Sequence, residues 1–159
     1  MAELENVAID DVKIKPLVRH CDERGYFMEV LRDDDNLLER FGQSSYTISY
    51  PGVIKAFHWH QKQYDLWFFC SGEVRVVLYD LRPESPTYQR LQVIFAGELE
   101  PMLIVIPPLV AHGYQVLGDK SACLFYHATE SYNSDDPDEG RIPFDDPEIS
   151  FPWHRSFGV

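Results

Sequence analysis

The chain has 159 residues, of which 45% are hydrophobic, enough for one domain with its own core. Its 14 basic and 26 acidic side chains leave a formal net charge of −12, which repels a phosphate backbone and excludes nucleic acid as the expected partner. No apolar stretch is long enough to span a membrane, no leader peptide is evident, and the three cysteines form no C-x-x-C pair, so we expect a cytoplasmic protein with reduced thiols.

The N-terminal part is predicted to contain short strands and one helix. Residues 7–20 alternate in short runs around a proline and indicate an edge strand, DERG indicates a turn, and YFMEVLR indicates a second strand. The segment DDDNLLERFG is the best helix candidate, because Asp35 can cap it and Gly42 can end it. The helix would have about two turns, with an apolar side made of Leu37, Leu38 and Phe41.

Between residues 44 and 129, short apolar runs follow one another closely and predict a series of strands. They are SSYTISY, VIKAFHWH, DLWFFC, EVRVVLYDL, RLQVIF, MLIVIP, GYQVL and ACLFYHAT, most of them separated by turns with proline or glycine. This pattern indicates an all-β sandwich or jelly roll. Cys70 and Cys123 stand in these apolar runs and are expected to be buried.

The C-terminal part is polar and proline-rich, and predicts a long loop with an ordered tail anchored by Phe144, Ile149, Phe151 and Trp153. Most of the acidic excess of the chain is expected to serve solubility. We expect a single domain over residues 1–159, with strands and the short helix in 1–50, the jelly-roll core in 51–130 and the tail in 131–159.

Two segments carry the histidines of interest. The first, GVIKAFHWHQKQYDLWFFCSG, has the spacing G-x5-H-x-H-x4-D-x6-G. Because side chains alternate along a strand, His58 and His60 face the same way, whereas Lys55 needs a bend or bulge to join them. The second segment, IPPLVAHGY, contributes His112.

These segments, in this order, resemble the paired motifs of the cupins, with Asp65 in place of the usual glutamate. In a cupin-type jelly roll the two strands lie side by side, so His58, His60 and His112 should converge. Two chemistries suit such a cluster. One is a divalent metal with open coordination positions, held by His58, His60, Asp65 and His112. The other is metal-free proton transfer with one histidine as general base, and composition does not separate them.

Over most of its length the sequence resembles the dTDP-4-dehydrorhamnose 3,5-epimerase family of the cupins. Six segments in the family's order carry the resemblance: DERGYFMEV, GVIKAFHWHQ, SGEVRVVLYDLRPESPTY, LIVIPPLVAHGYQVLGD, LFYHATESYN and EGRIPFDDPEISFPW. The resemblance implies a homodimer, no required cofactor, and a nucleotide-linked 4-keto-6-deoxy sugar as substrate. The C4 ketone of such a sugar acidifies the protons at C3 and C5, so a base can remove one and an acid can return it to the opposite face.

Residue by residue, the resemblance makes His58 the catalytic base, Tyr126 the opposing acid and His112 a second site histidine. Histidine suits the role of base because its pKa lies near neutrality. Lys55 stands where the family has an arginine for the substrate phosphate. The other implied substrate-binding residues are Arg24, Phe27 and Glu29, which would reach the nucleotide from the neighbouring subunit, together with Gln43 and His60.

Two departures from the family pattern bear on the chemistry. Asp65 replaces the family's lysine, which removes a positive charge where an enolate oxyanion would want one. No S-x-K-D motif follows FPWHRSFGV, so the aspartate that orients the family's base is expected to be missing beside His58. The segment FHWHQKQ also resembles the sugar 3,4-ketoisomerase cupins, in which both histidines act.

Three functions stay open at the level of sequence. The first is a nucleotide-sugar epimerase with His58 and Tyr126, acting at one carbon or at two. The second is a metal-binding cupin acting as a sugar isomerase or another metal-dependent enzyme, which the gain of His60 and the loss of the lysine favour. The third is a sugar-nucleotide-binding protein without turnover, which the missing aspartate motif favours. The sequence does not name the sugar, its nucleotide or the carbon that is inverted.

Overall fold

The computed structural model describes residues 6–154 of the chain. Within this range the chain forms a 3-10 turn at Asp33–Asp35 and twelve strands. The strands are β1 (Lys13–Pro16), β2 (His20–Asp22), β3 (Gly25–Phe27), β4 (Gln43–Ser49), β5 (Ile54–Trp59), β6 (Asp65–Ser71), β7 (Glu73–Asp80), β8 (Leu91–Gly97), β9 (Met102–Ile106), β10 (Val110–Leu117), β11 (Ala122–Ala128) and β12 (Gly140–Arg141). The ends of the expected domain, residues 1–5 and 155–159, lie outside the described residues.

The strands form two five-stranded sheets and a separate hairpin. The first sheet has the order β1-β9-β6-β11-β4, the second has the order β12-β5-β10-β7-β8, and β2 pairs with β3. Neighbouring strands in both sheets are antiparallel. Many neighbours are distant in sequence, as β4 and β11 are, which is typical of a double-sheet jelly roll. The all-β, cupin-type jelly roll expected from the sequence is confirmed.

A core of buried side chains fills the space between the two sheets. Trp67 and Ile104 of the first sheet pack with Val76 and Tyr114 of the second, and none of the four is more than 6% exposed. The rings of Trp67 and Tyr114 meet edge to face with centroids 5.7 Å apart. Alternate residues of each strand therefore supply this core, as the period of two in the sequence predicted.

The tail packs on the outer face of the second sheet. Ile149, Phe151 and Trp153 are buried there against Phe57 of β5. The fourth expected anchor, Phe144, is 42% exposed, so that expectation is wrong. Phe144 contacts the tail through its backbone carbonyl and not through its ring. The carbonyl accepts a hydrogen bond from Trp153 Nε1 at 2.9 Å. The tail thereby supports the strand that carries His58 from behind.

The two-turn helix predicted from DDDNLLERFG is not formed. Its turn at Asp33–Asp35 ends at Asn36, which adopts the left-handed conformation with φ 53°. The carboxylate of Asp35 binds Lys15 of β1 rather than serving as the expected helix cap. Leu37 packs against the outer side of the first sheet, so the apolar pattern belongs to a packed loop. Within residues 6–154, no helix is long and apolar enough to cross a membrane.

The cysteines are free thiols, but the predicted burial of two of them is wrong. Cys70 is exposed and Cys123 is partly exposed. The pairing of β6 with β11 shifts register at Cys123 and Leu124, and both thiols lie toward the outer face of the first sheet. The apolar runs around them therefore reflect an outer sheet face that is itself apolar, and not burial of each residue.

Candidate active site

A cavity of about 510 Å³ lies between the two sheets. It is lined by most of the residues singled out from the sequence, namely Gln43, Lys55, His58, His60, Asp65, His112 and Tyr126. Arg24, Phe27 and Glu29 lie outside this cavity. The fold thus brings the predicted site together, except for its N-terminal members.

The histidines of the cavity come from neighbouring strands of the second sheet. His58 on β5 stands opposite His112 on β10, and His60 follows at the end of β5 on the same side. A register shift between His112 and Tyr114 places an extra residue in β5. Lys55 and His58 have opposite parity, and the bulge predicted for Lys55 brings its side chain to the cavity beside His58.

His58 has a carboxylate partner that the sequence did not reveal. Its Nδ1 lies 2.6 Å from Oε1 of Glu139, in the loop before β12. Because a carboxylate only accepts hydrogen bonds, Nδ1 carries the hydrogen, and Nε2 is the basic nitrogen of the neutral ring. Burial lowers the pKa of His58, and the charge of Glu139 opposes this in part. His58 therefore remains a neutral base, 41% exposed, at neutral pH.

Glu139 is positioned by the two-residue strand β12. In its pairing with β5, Gly140 lies opposite Trp59 and Arg141 lies opposite His58. A side chain at position 140 would clash, because a Cβ there would lie 2.0 Å from the indole of Trp59. The glycine lets the loop come close enough for Glu139 to reach His58. The local sequence carries no signal for this contact, because it depends on the pairing of β12 with β5.

Asp138 fixes the turn that follows His60. Its carboxylate accepts hydrogen bonds from the backbone N–H groups of residues 61, 62 and 63 at 2.8, 3.0 and 2.9 Å. Burial acts against its ionisation, but these donors outweigh burial and lower the pKa of Asp138. Its backbone carbonyl accepts a hydrogen bond from His60 Nδ1, so the Nε2 of the neutral His60 ring carries a lone pair.

His60, Asp65 and His112 form a compact cluster on the buried side of the cavity. Oδ2 of Asp65 lies 3.4 Å from His60 Nε2 and 3.3 Å from His112 Nε2. Gln63 Nε2 donates to the other oxygen of Asp65 at 2.7 Å, and His112 Nδ1 donates to the carbonyl of Val110 at 2.9 Å. Of the four residues expected to surround a metal, these three have donor atoms within 4.8 Å of one another, whereas His58 does not join them.

The charges of this cluster support one another. Burial acts to raise the pKa of Asp65, but the imidazoles of His112 and His60 outweigh burial and lower it. Burial likewise acts to lower the pKa of His60, but the neighbouring Asp65 carboxylate outweighs it, and the pKa is raised. The ionised carboxylate of Asp65 therefore stands at the position of the family's lysine, and two imidazoles stabilise its negative charge.

Tyr126 reaches the cavity from the opposite sheet. It lies on β11 of the first sheet, whereas His58 lies on β5 of the second, so the two side chains approach the cavity from opposite sides. Gln43 also comes from the first sheet, and its Oε1 accepts the backbone N–H of Tyr132 at 2.7 Å. The next residue of β11, His127, has the opposite parity and faces outward to Ser44.

The sequence is similar to known proteins over most of its length. The sequence model described as dTDP-4-dehydrorhamnose 3,5-epimerase matches residues 6–158. The chain is 57% identical over 149 residues to the spore coat polysaccharide biosynthesis protein SpsL of Bacillus subtilis, covering 94% of this chain and 99% of that protein. It is 37% identical over 148 residues to the probable low-salt glycan biosynthesis epimerase Agl13 of Haloferax volcanii, covering 92% and 95%.

Solved structures share the same architecture. The dTDP-6-deoxy-D-glucose-3,5-epimerase RmlC of Legionella pneumophila, crystallised with dTDP-4-keto-L-rhamnose, superposes with a TM-score of 0.83 at 29% identity. That match covers 97% of this chain and 84% of the other. The dTDP sugar isomerase of Desulfovibrio desulfuricans gives a TM-score of 0.84 at 29% identity, with 91% and 92% covered. The likeness therefore extends over almost the whole chain and includes the strands that line the cavity.

Proposed function

Because this chain belongs to the dTDP-4-dehydrorhamnose 3,5-epimerase family, we propose that it is an epimerase of a dTDP-linked 4-keto-6-deoxyhexose. The observation that carries this proposal is that His58 and Tyr126 enter one cavity from opposing sheets. Inversion next to a ketone needs a base on one face of the sugar ring and an acid on the other. A ring that lies between the two sheets presents one face to each side chain.

His58 is the proposed base. Its Nε2 removes the proton at C3 or C5, and the electron pair moves into an enolate whose oxygen derives from the C4 ketone. Glu139 keeps the hydrogen of the neutral ring on Nδ1 and stabilises the imidazolium that forms. Glu139 is thus the proposed orienting partner of the base.

Tyr126 is the proposed acid. When its hydroxyl donates a proton to the opposite face of the same carbon, the configuration there is inverted. Base and acid are both side chains of the protein, so we propose that the reaction needs no organic cofactor. His112 is buried beside the base and lines the same wall of the cavity.

Lys55 is the proposed contact for the substrate phosphate. It lines the cavity and donates from Nζ to Thr47 Oγ1 at 3.1 Å, which holds the ammonium at the cavity wall. Lys62 lines the same cavity, whose other charged side chains are carboxylates. The two lysines, together with the polar side chain of Gln43, are therefore the proposed contacts for a diphosphate.

We also propose that the protein is a homodimer. On β4, an edge strand of the first sheet, Tyr46 and Ile48 point to the outer face and are 71% and 50% exposed, and Tyr50, directly after the strand, is 73% exposed. Phe125 of the neighbouring strand β11 adds to this face. An unpaired edge next to an exposed apolar face favours contact with a second copy.

The N-terminal hairpin supports the same arrangement. The side chains of Arg24 and Phe27 are largely exposed, and Glu29 forms an ion pair with Arg32 at 2.7 Å outside the cavity. In a monomer these residues have no substrate to contact. In the proposed dimer they reach the nucleotide bound by the other subunit, as the family resemblance implies.

Sedimentation velocity tests the dimer. We expect one species with twice the chain mass of 18.5 kDa. Ile48→Asp places a charge on the apolar face of β4 and is expected to give monomers. The matched control is Leu99→Asp, which changes a leucine that is 78% exposed in the turn after β8. A monomeric wild-type protein would contradict the proposal.

Deuterium exchange tests the proposed function. The full-length protein is incubated in heavy water with dTDP-4-keto-6-deoxyglucose, with and without a chelator, and the sugar is followed by mass spectrometry and proton NMR. We expect deuterium at C3, at C5 or at both, together with an inverted product, and we expect exchange to continue in the presence of the chelator. The position of the label identifies the carbon that is inverted.

The other outcomes separate the remaining candidate functions. Exchange that stops on chelation would identify a metal-dependent isomerase. Binding of the nucleotide sugar without any exchange would identify a binding protein and would contradict the epimerase proposal.

A further inference from the structure

We propose that His60, Asp65 and His112 form a binding site for one divalent transition-metal ion. The donor atoms of these three side chains lie within 4.8 Å of one another. His58 does not belong to this group of donor atoms, and its Nδ1 is bound to Glu139 instead. The site is therefore separate from the proposed proton-transfer pair, and the inference does not depend on the proposed function.

The hydrogen positions of the two imidazoles favour a cation between them. His60 Nδ1 and His112 Nδ1 each face a backbone carbonyl, and since a carbonyl only accepts, both nitrogens must donate. Each neutral ring then directs a lone pair from Nε2 toward Oδ2 of Asp65, which is itself an acceptor. Three lone pairs that converge repel one another unless a positive charge lies between them.

Either protons on the rings or a metal ion can provide that charge, and the distances favour the ion. A protonated imidazole that donates to a carboxylate brings nitrogen and oxygen to about 2.7–2.9 Å. The two distances to Asp65 are longer, at 3.4 Å from His60 and 3.3 Å from His112. Ligands bound at about 2.0–2.1 Å from an ion, with tetrahedral angles, are about 3.3 Å apart.

Each of the three ligands is also held from its far side. The carbonyls of Asp138 and Val110 fix the two imidazoles through Nδ1, and Gln63 Nε2 donates to Asp65 Oδ1 at 2.7 Å. Contacts of this kind orient metal-binding side chains. Gln63 Nε2 also lies 3.2 Å from His60 Nε2, so a bound ion would replace that hydrogen bond. Asp65 and His112 are each 3% exposed, so the ligands are fixed before an ion arrives.

The ligand set indicates the class of ion. Two imidazole nitrogens and one carboxylate oxygen suit Zn²⁺, Co²⁺ or Fe²⁺, whereas Mg²⁺ and Ca²⁺ prefer sites made of oxygen. Three protein ligands leave at least one position open to water or to a substrate oxygen. A bound ion would supply Lewis acidity and positive charge inside the cavity, where Asp65 replaces the lysine of the family pattern.

The test is metal binding by the full-length protein, without substrate. After treatment with a chelator and dialysis, the protein is titrated calorimetrically with Zn²⁺ and with Mg²⁺, and Co²⁺ binding is followed by visible absorption. We expect one Zn²⁺ or Co²⁺ per chain and no binding of Mg²⁺. Asp65→Asn and His60→Gln should each weaken Zn²⁺ binding by about 100-fold or more. His127→Asn, which alters a histidine on the outer face, should bind as the wild type does.

Two results would overturn the proposal. One is no Zn²⁺ binding by the folded wild-type protein, which would assign the positive charge to protons on the imidazoles. The other is wild-type affinity in His60→Gln, whose partly exposed side chain makes it the safer variant if Asp65→Asn does not fold. Deuterium exchange by the metal-free protein is measured separately, so failure of the ion site and failure of the epimerase proposal are distinguishable.

Discussion

Replacing His58 by asparagine is expected to lower deuterium exchange at C3 and C5 of the substrate by about 10⁴-fold. Asparagine can still donate a hydrogen bond to Glu139, so the loop before β12 keeps its place. It has no basic nitrogen for the cavity, however, and no other group takes over the proton in the proposed mechanism. The measurement is the initial rate of label uptake by mass spectrometry, compared with binding of the nucleotide sugar, which should change little.

Glu139→Gln is expected to lower the exchange rate less than His58→Asn does. It keeps His58 but replaces the carboxylate by an amide, and we expect the exchange rate to fall by roughly 10- to 100-fold. His127→Asn serves as the control for a histidine outside the cavity and should exchange label at the wild-type rate. Exchange by His58→Asn at a rate within about 10-fold of the wild type would remove His58 from the role of base.

The pH dependence of the exchange rate shows whether Glu139 acts on the His58 ring or only supports the loop before β12. The rate requires neutral His58, and burial lowers the pKa of this ring while Glu139 partly raises it. In the wild type the rate should therefore fall on acidification only below the ordinary histidine pKa of about 6.5. Without the charge of Glu139 the pKa drops further, so the acidic limb of Glu139→Gln should move to lower pH while its plateau is reduced. An unshifted limb would mean that the carboxylate does not act on His58.

Tyr126→Phe is expected to separate exchange from inversion. The phenyl ring keeps the shape of the cavity wall but cannot donate a proton, so formation of the inverted sugar should fall by about 10²- to 10³-fold. Removal of the proton by His58 stays possible, and label should still enter the recovered substrate within about 10-fold of the wild-type rate. Proton NMR of the recovered sugar distinguishes labelled substrate from labelled epimer.

The matched control for Tyr126→Phe is Tyr88→Phe, at a tyrosine that is 42% exposed and outside the cavity. It should give exchange and inversion in the wild-type ratio. Full inversion by Tyr126→Phe would show that another group, or water, returns the proton, and Tyr126 would then be a wall of the cavity only.

The sheet architecture was predictable because it depends on a local pattern. Alternation along the strands specifies which side chains enter the core, and it correctly predicted that His58 and His60 face the same way, into the cavity. The helix prediction was wrong because the same apolar pattern occurs in a loop, in which Asp35 forms an ion pair with Lys15 of β1. This contact joins residues that are 20 positions apart, and helix propensity, which is a local property, does not include it.

The site was predictable only where it is built on strands. The histidine motifs placed His58 beside His112, and the need for a bulge at Lys55 was evident from parity alone. Glu139 was missed because its loop is rich in acidic residues and resembles a solvated surface. Its contact with His58 depends on the pairing of a two-residue strand with β5, and nothing in the local sequence sets that register.

Asp138 and Glu139 follow β11 in the chain, and this order affects when the site is completed during synthesis. Asp138 binds residues that precede it by 75 to 78 positions. When every strand from β1 to β11 has been released, most of both sheets can form, but the partner of the base has not yet emerged. The nascent protein can fold around its core first, and the proposed base gains its carboxylate partner only when residues 138–141 have emerged and β12 has paired with β5.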